Sequence, residues 1–173
     1  MNAGVRSSVD KGSLDESLFD MRKHEQSSLA EPLSEPVEKL MALYQKLGAH
    51  NLALLDEVYS DAVVFCDPMH RIEGLSLLKG YFANLYQNLS SIDFVFHHVM
   101  DDGAQATLVW TMTFAHPKLA GGKPISVEGV SQIGYSDKVD FHRDYFDMGA
   151  MLYEHIPGLG ALVRLVKNRA GRS

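Results

Sequence analysis

Two polar points interrupt an otherwise apolar framework. One is Asp67, which ends the run Ala-Val-Val-Phe-Cys and is followed by Pro68; the other is His142 to Asp147, read HRDYFD. Side chains alternate along a strand, so a strand over Ala62 to Asp67 puts Val63, Phe65 and Asp67 on one face. Lining a cavity, Asp67 would sit on an apolar wall that disfavours its charged form and makes it a stronger base. The plainer alternative is a turn aspartate before proline. In the second run Asp140, His142, Asp144 and Phe146 share one face, and Phe141, Arg143, Tyr145 and Asp147 the other. A histidine and an aspartate two apart on one face can orient each other, and an exposed polar edge would carry the same pattern. Arg143 and Asp147 suit a surface ion pair equally well.

Other chemistries find less support. The 8 histidines are scattered, with no HExxH or CxxC spacing, and alternation sends His97 and His98 to opposite faces, so no metal is expected. No glycine-rich phosphate loop follows a strand, and no cofactor is expected. Nothing resembles a nucleophile elbow. The one cysteine, Cys66, lies inside an apolar strand and reads as a core residue. A net charge of −6 over 173 residues argues against nucleic acid as a partner. That length suits one domain, and 46% hydrophobic with 22% charged residues is ordinary for a globular chain. No apolar run approaches the ~18 residues of a membrane span. With no signal-peptide pattern at the N-terminus, the sequence points to the cytoplasm.

The elements that must position these residues follow from periodicity. Residues 1–35 are polar and read as a flexible N-terminal arm, with Ser13-Leu-Asp-Glu16 as a capping box for a short helix through Leu18 and Met21. Ser34 caps a helix carrying Pro36 in its first turn, with Val37, Leu40, Met41, Tyr44 and Leu47 as its stripe and Gly48 as its end. Asn51 caps a second short helix with Leu52, Leu55 and Val58. After the turn His70–Gly74, a third helix carries Leu75, Leu78, Phe82, Leu85 and Leu89, with Tyr81 and Tyr86 beside that stripe. From Ser91 the period changes to 2. Ile92, Phe94, Phe96, His98 and Met100 alternate with Asp93, Val95, His97 and Val99. Strands over 104–114, 125–135 and 139–147 complete a four-strand antiparallel meander, which makes an α+β domain. Residues 154–173 form a basic amphipathic helix after Pro157-Gly158. Its stripe of Leu159, Leu162, Val163 and Val166 packs over the sheet or against a partner; contact with a membrane surface is the alternative.

The opening YSDAVVFCDP, the IEG turn into the third helix and the final HRDYFD together resemble the nuclear transport factor 2-like superfamily, over Val37 to about Tyr153. That group includes SnoaL-like polyketide cyclases, ketosteroid isomerases and limonene epoxide hydrolases. The resemblance implies a cone-shaped, curved, mostly antiparallel sheet. Three N-terminal helices would close it around an apolar pocket, with a C-terminal helical extension and a homodimer formed through the sheet. The domain bounds would be 36–153. In the isomerases the aspartate before proline is the general base, which falls on Asp67. Their oxyanion tyrosine falls on Leu43, beside Tyr44, and their second aspartate on or near Ser131, so that pair is missing. The catalytic aspartate of the epoxide hydrolases falls on Asp144, with His142 and Phe146 as pocket neighbours. Their water-holding tyrosine and asparagine fall on Phe65 and Asp67, and their arginine and second aspartate on Trp110 and Met112, which breaks that triad. The acid that SnoaL-like cyclases place on the last strand is again closest to Asp144.

Superposed, these correspondences imply that Asp67 and Asp144 share a cavity walled by Phe65, Phe82, Trp110, Met112 and Phe146, with His142 tuning or relaying. Two carboxyl groups there would not both ionise cheaply, so one would serve as acid and the other as base. The implied ligand is a small apolar, carbonyl- or ring-containing molecule. The implied activity is a cofactor-free isomerase, cyclase, hydratase or hydrolase; the alternative is a non-catalytic binding or dimerising module of the same fold.

Overall fold

The computed structural model describes residues 32–171; residues 1–31 of the expected N-terminal arm, with the capping box at Ser13–Glu16, lie outside the described residues. The chain divides into two units, Met1–Pro32 and Leu33–Ser173, and every described element belongs to the second. Pro36 opens helix α1, Glu35–Tyr44, which buries Val37, Leu40, Leu43 and Tyr44. Ser34 stands at its N-cap without capping it. The Ser34 hydroxyl instead accepts from Tyr135 at 2.9 Å, and its N–H donates to Asp101 Oδ2 at 2.8 Å. The helix start is thereby tied to two strand ends. Asn51 also does not cap: its Oδ1 accepts from the Gly48 N–H at 2.7 Å and its Nδ2 donates to the Lys46 carbonyl at 2.8 Å, closing the loop. The second helix is split into a 3-10 turn, Leu52–Leu54, and α2, Leu55–Val58.

Strand β1 runs Tyr59–Cys66, three residues earlier than the sequence suggests, because Tyr59 already pairs with Val139. The His70–Gly74 turn contains a short strand, β2, Arg71–Glu73, antiparallel to β1. Gly74, at φ 94°, then opens α3, Leu75–Gln87. A left-handed backbone of this kind suits glycine. The meander follows as β3, Ser91–Asp101; β4, Gln105–Ala115; β5, Ile125–Tyr135; and β6, Val139–Phe146. The six-stranded sheet has the order β2-β1-β6-β5-β4-β3. It is curved and unclosed, and the helices and concave face share one core of apolar side chains.

The parallel pairing of β1 with β6 decides where the site falls. Phe65 stands opposite His142 and Cys66 opposite Arg143. One further step of that register sets Asp67 level with Asp144. Two bulges change the expected faces. In β3 the partners of Phe96 and His98 are Trp110 and Val109, so His97 is the extra residue. Beyond it the phase reverses: Val99 packs on the core, whereas His98 faces out and Met100 is 63% exposed. His97 and His98 are therefore both exposed, not on opposite faces. In β6 Asp140 is bulged out between Val139 and Phe141, so it does not share the face of His142, Asp144 and Phe146.

After β6 come α4, Met148–Met151, a 3-10 turn at Tyr153–His155, and α5, Leu159–Ala170. Helix α5 docks by its polar side. Arg164 donates to the Glu154 carbonyl, Lys167 meets Asp147 and Glu154, and Gly160 lies against the Glu154 backbone. The apolar stripe does not pack over the sheet as expected: Leu159, Leu162 and Val166 are exposed, as is Leu165, and only Val163 is half-buried. No described helix is long and apolar enough to cross a membrane.

Candidate functional site

Asp67 leaves the end of β1 with its side chain only 3% exposed. Oδ1 accepts from the backbone N–H of Met69 at 2.7 Å and of His70 at 2.6 Å, and the His70 ring lies 3.3 Å away. Oδ2 accepts from the Tyr81 hydroxyl at 2.5 Å. The turn aspartate and the cavity aspartate are therefore one residue. Its oxygens are committed to the Pro68–His70 turn and to α3. Tyr81, whose proton points at Asp67, has its ionisation pushed far up by burial and by that carboxyl group.

Asp144 is held differently. Its Oδ1 accepts from the Ser131 hydroxyl at 2.5 Å and faces His142 Nε2 at 2.9 Å. Ser131 accepts in turn from the Trp110 indole N–H at 2.8 Å. No described residue hydrogen-bonds to Oδ2. Behind Asp144, the His142 side chain is 1% exposed, with Nδ1 2.7 Å from the Tyr59 hydroxyl, which is 3.1 Å from that of Tyr44. The network assigns the histidine proton to Nε2, since a carboxylate only accepts; Nδ1 then accepts from Tyr59, and Tyr59 from Tyr44. Every donor in the chain runs toward Asp144. Burial, then the neighbouring Tyr59 and Asp144, raise the Tyr44 ionisation well above its usual range. Burial dominates for Tyr59 also. Both phenols stay protonated, as the chain requires.

Asp67 and Asp144 line one cavity of about 50 Å³, walled by Phe65, Phe82, Trp110, Met112 and Phe146 together with Tyr44, Tyr81, Tyr86 and Phe94. At ~10–15 Å³ for one water, that is room for a few waters or one small branched molecule. His142 does not reach it. The imidazole faces a separate void of about 10 Å³ beside Leu40, Leu108 and Ser131. It meets the cavity wall only through Asp144. Tyr86 is different. Burial raises its ionisation strongly, no described residue engages its hydroxyl, and it lines the larger cavity. Its hydroxyl stays protonated and has no described partner. Among the described residues no group of three histidine, cysteine, aspartate or glutamate side chains is placed to hold a metal.

Sequence alone did not single out four participants. Tyr59 looked like a helix end, Tyr81 and Tyr86 lay beside a stripe, and Ser131 entered only as the place of a missing aspartate. The tyrosines carry a signal only on α3, where Tyr81 and Tyr86 recur beside the apolar stripe; Tyr59 lies in β1. The pairing of Ser131 with Asp144 across β5 and β6 had none, because register is invisible before the bulge at Asp140 is known.

A cone-like α+β unit with its polar groups inside the sheet's concavity defines a nuclear transport factor 2-like fold. Within that fold the chain belongs to the SnoaL-like domain family, which matches residues 40–138. Among solved structures it is similar to a protein from Jannaschia sp. CCS1 described as a SnoaL-like polyketide cyclase, at 18% identity over 71% of this chain and 95% of that one, with a TM-score of 0.61. It is likewise similar to an LEH-like epoxide hydrolase from M. tuberculosis, at 20% identity over 76% and 96% of the two chains and a TM-score of 0.59. A further SnoaL-like protein, from Shewanella putrefaciens CN-32, matches at 17% identity over 69% and 95%, with a TM-score of 0.59. At these identities the likeness is one of fold. No curated protein matches the chain.

Proposed function

We propose that the domain binds a small, largely apolar molecule in the cavity and moves a proton on it through Asp144. One observation carries this reading: Oδ1 of Asp144 is fixed by Ser131 and His142, while Oδ2 has no described partner and the residue lines the cavity. A carboxylate anchored through one oxygen and free at the other is a preorganised general base. For a carbonyl ligand, Oδ2 takes a proton from the carbon beside the carbonyl. The C–H electron pair forms the C=C bond, the carbonyl oxygen gains the charge, and the Tyr86 O–H hydrogen-bonds to it. Return of the proton to another carbon gives isomerisation; attack of the enolate carbon on a second carbonyl forms the ring bond, and the proton held by Asp144 passes to the new alkoxide, giving cyclisation. Asp67 serves by holding the turn and the Tyr81 hydroxyl.

The test uses cyclopentanone in heavy water, with deuterium uptake beside the carbonyl followed by NMR. The protein is expected to accelerate exchange over buffer, and Asp144→Asn to lower it by at least about a hundredfold, the usual contribution of a positioned base. Exchange no faster than in buffer would leave a binding module without catalysis.

A further inference from the structure

The lining of the cavity is unbalanced in charge. It contains two carboxyl groups, Asp67 and Asp144, and no lysine, arginine or histidine. The groups that touch these carboxyls from outside the lining are the His142 and His70 rings, the Ser131 hydroxyl and the backbone N–H groups of Met69 and His70, and from within it the Tyr81 hydroxyl. A negative ligand would meet repulsion without a partner. A neutral one would leave acidic groups facing an apolar hollow, which is costly. The rest of the wall is aromatic. Tyr44 meets Phe94 edge to face with centroids 5.1 Å apart, Phe94 meets Trp110 at 5.5 Å, and Phe65, Tyr81 and Phe82 contact one another at 5.5 to 5.8 Å. Ring faces of tryptophan, tyrosine and phenylalanine attract cations, the more strongly when the cation is desolvated.

We infer that the ligand of this cavity carries a single positive charge on a small amine or methylated ammonium group, boxed by aromatic rings and neutralised by Asp144, whose Oδ2 has no described partner. The inference rests on the reading that this cavity is the ligand site, and it adds the charge of the ligand. It also gives the open oxygen of Asp144 a physical reason to face an apolar hollow. The ammonium group supplies the counter-charge that no lining side chain supplies, and its methyl groups meet the ring faces.

Trp110 is the only tryptophan in the chain and lies in the wall, so intrinsic fluorescence of the full chain reports occupancy. Three probes of similar shape separate charge from size: tetramethylammonium, tert-butanol and pivalate, titrated at constant ionic strength near neutral pH. Tetramethylammonium is expected to saturate with a dissociation constant about tenfold below that of tert-butanol, within the range of a cation–π contact. Pivalate is expected to give no saturable change. Asp144→Asn should weaken tetramethylammonium about tenfold while leaving tert-butanol within about twofold, the cation selectivity being electrostatic. Binding of tert-butanol as tight as, or tighter than, tetramethylammonium overturns the inference and leaves the apolar-ligand reading standing. So does saturable binding of pivalate. Silence from all three probes overturns both.

Discussion

At the scale of single residues, the two acidic groups that share the cavity do different work. Asp67 accepts from two backbone N–H groups and from Tyr81, so its oxygens hold a turn and a helix in place. Asp144 keeps one oxygen open, and the buried chain Tyr44–Tyr59–His142 fixes its other. Tyr59→Phe removes the donor to His142 Nδ1 and leaves that nitrogen buried without a partner. The expected loss is ~1–3 kcal/mol of stability, read as a lower denaturation midpoint. If the tyrosine also sets the histidine tautomer, deuterium exchange should fall in the same variant while cyclopentanone affinity stays constant. Unchanged exchange would reduce the chain to a structural role.

At the scale of elements, Gly129 in β5 stands opposite Trp110 in β4 and Phe146 in β6. A Cβ built there would lie 2.2 Å from the indole Cη2. The indole lies over the bare backbone and from there donates to Ser131. Gly129→Ala is therefore expected to destabilise by ~1–3 kcal/mol through overpacking, with a shift in Trp110 fluorescence. A variant as stable as the parent would show that the ring has other room. The helices, the meander and the inward faces of β1, β4 and, from His142 onward, β6 were legible from periodicity, since Leu108, Trp110 and Met112 keep their phase along β4. The second half of β3 was not, because one extra residue at His97 inverts the alternation and no local sequence signal marks it. The short β2 was hidden in a polar turn, for its three residues gain order only by pairing with β1. Helix α5 was recognisable as amphipathic, yet its orientation was not. Whether a stripe faces in or out depends on ion pairs to Asp147 and Glu154, which lie in other elements. Lys167, followed by the N–H groups of Ala150 and Gly149, holds the Asp147 carboxyl below its usual range. A carboxyl group depressed in the folded state favours that state above its ordinary pKa and ceases to do so as pH falls through the lowered value. Hydrogen exchange followed by mass spectrometry is thus expected to show α5 protected at neutral pH and losing protection below pH ~4, ahead of the sheet. Asp147→Ala should lose it at neutral pH. Equal protection in both proteins would mean that the salt link does not dock the helix.

At the scale of the whole molecule, the parallel join of β1 to β6 brings the first and last described strands side by side. Asp67 arrives from the first strand and Asp144 from the last, and the curvature of the sheet turns both toward α3. This was readable only through likeness of fold, because sequence spacing says nothing about strands paired across 77 positions of chain, the separation of Asp67 and Asp144 (144 − 67). The SnoaL-like family match and the solved structures agree on that scaffold. What this chain adds is an aromatic hollow with acidic groups and no basic partner in its wall.

The most direct measurement compares deuterium exchange into cyclopentanone by Asp144→Asn and by Asp67→Asn, with folding of each confirmed by circular dichroism. The Asp144 variant is predicted to fall to the buffer rate while the Asp67 variant keeps a measurable acceleration. Loss in the Asp67 variant with exchange retained in the Asp144 variant would contradict the assignment of Asp144 as the base.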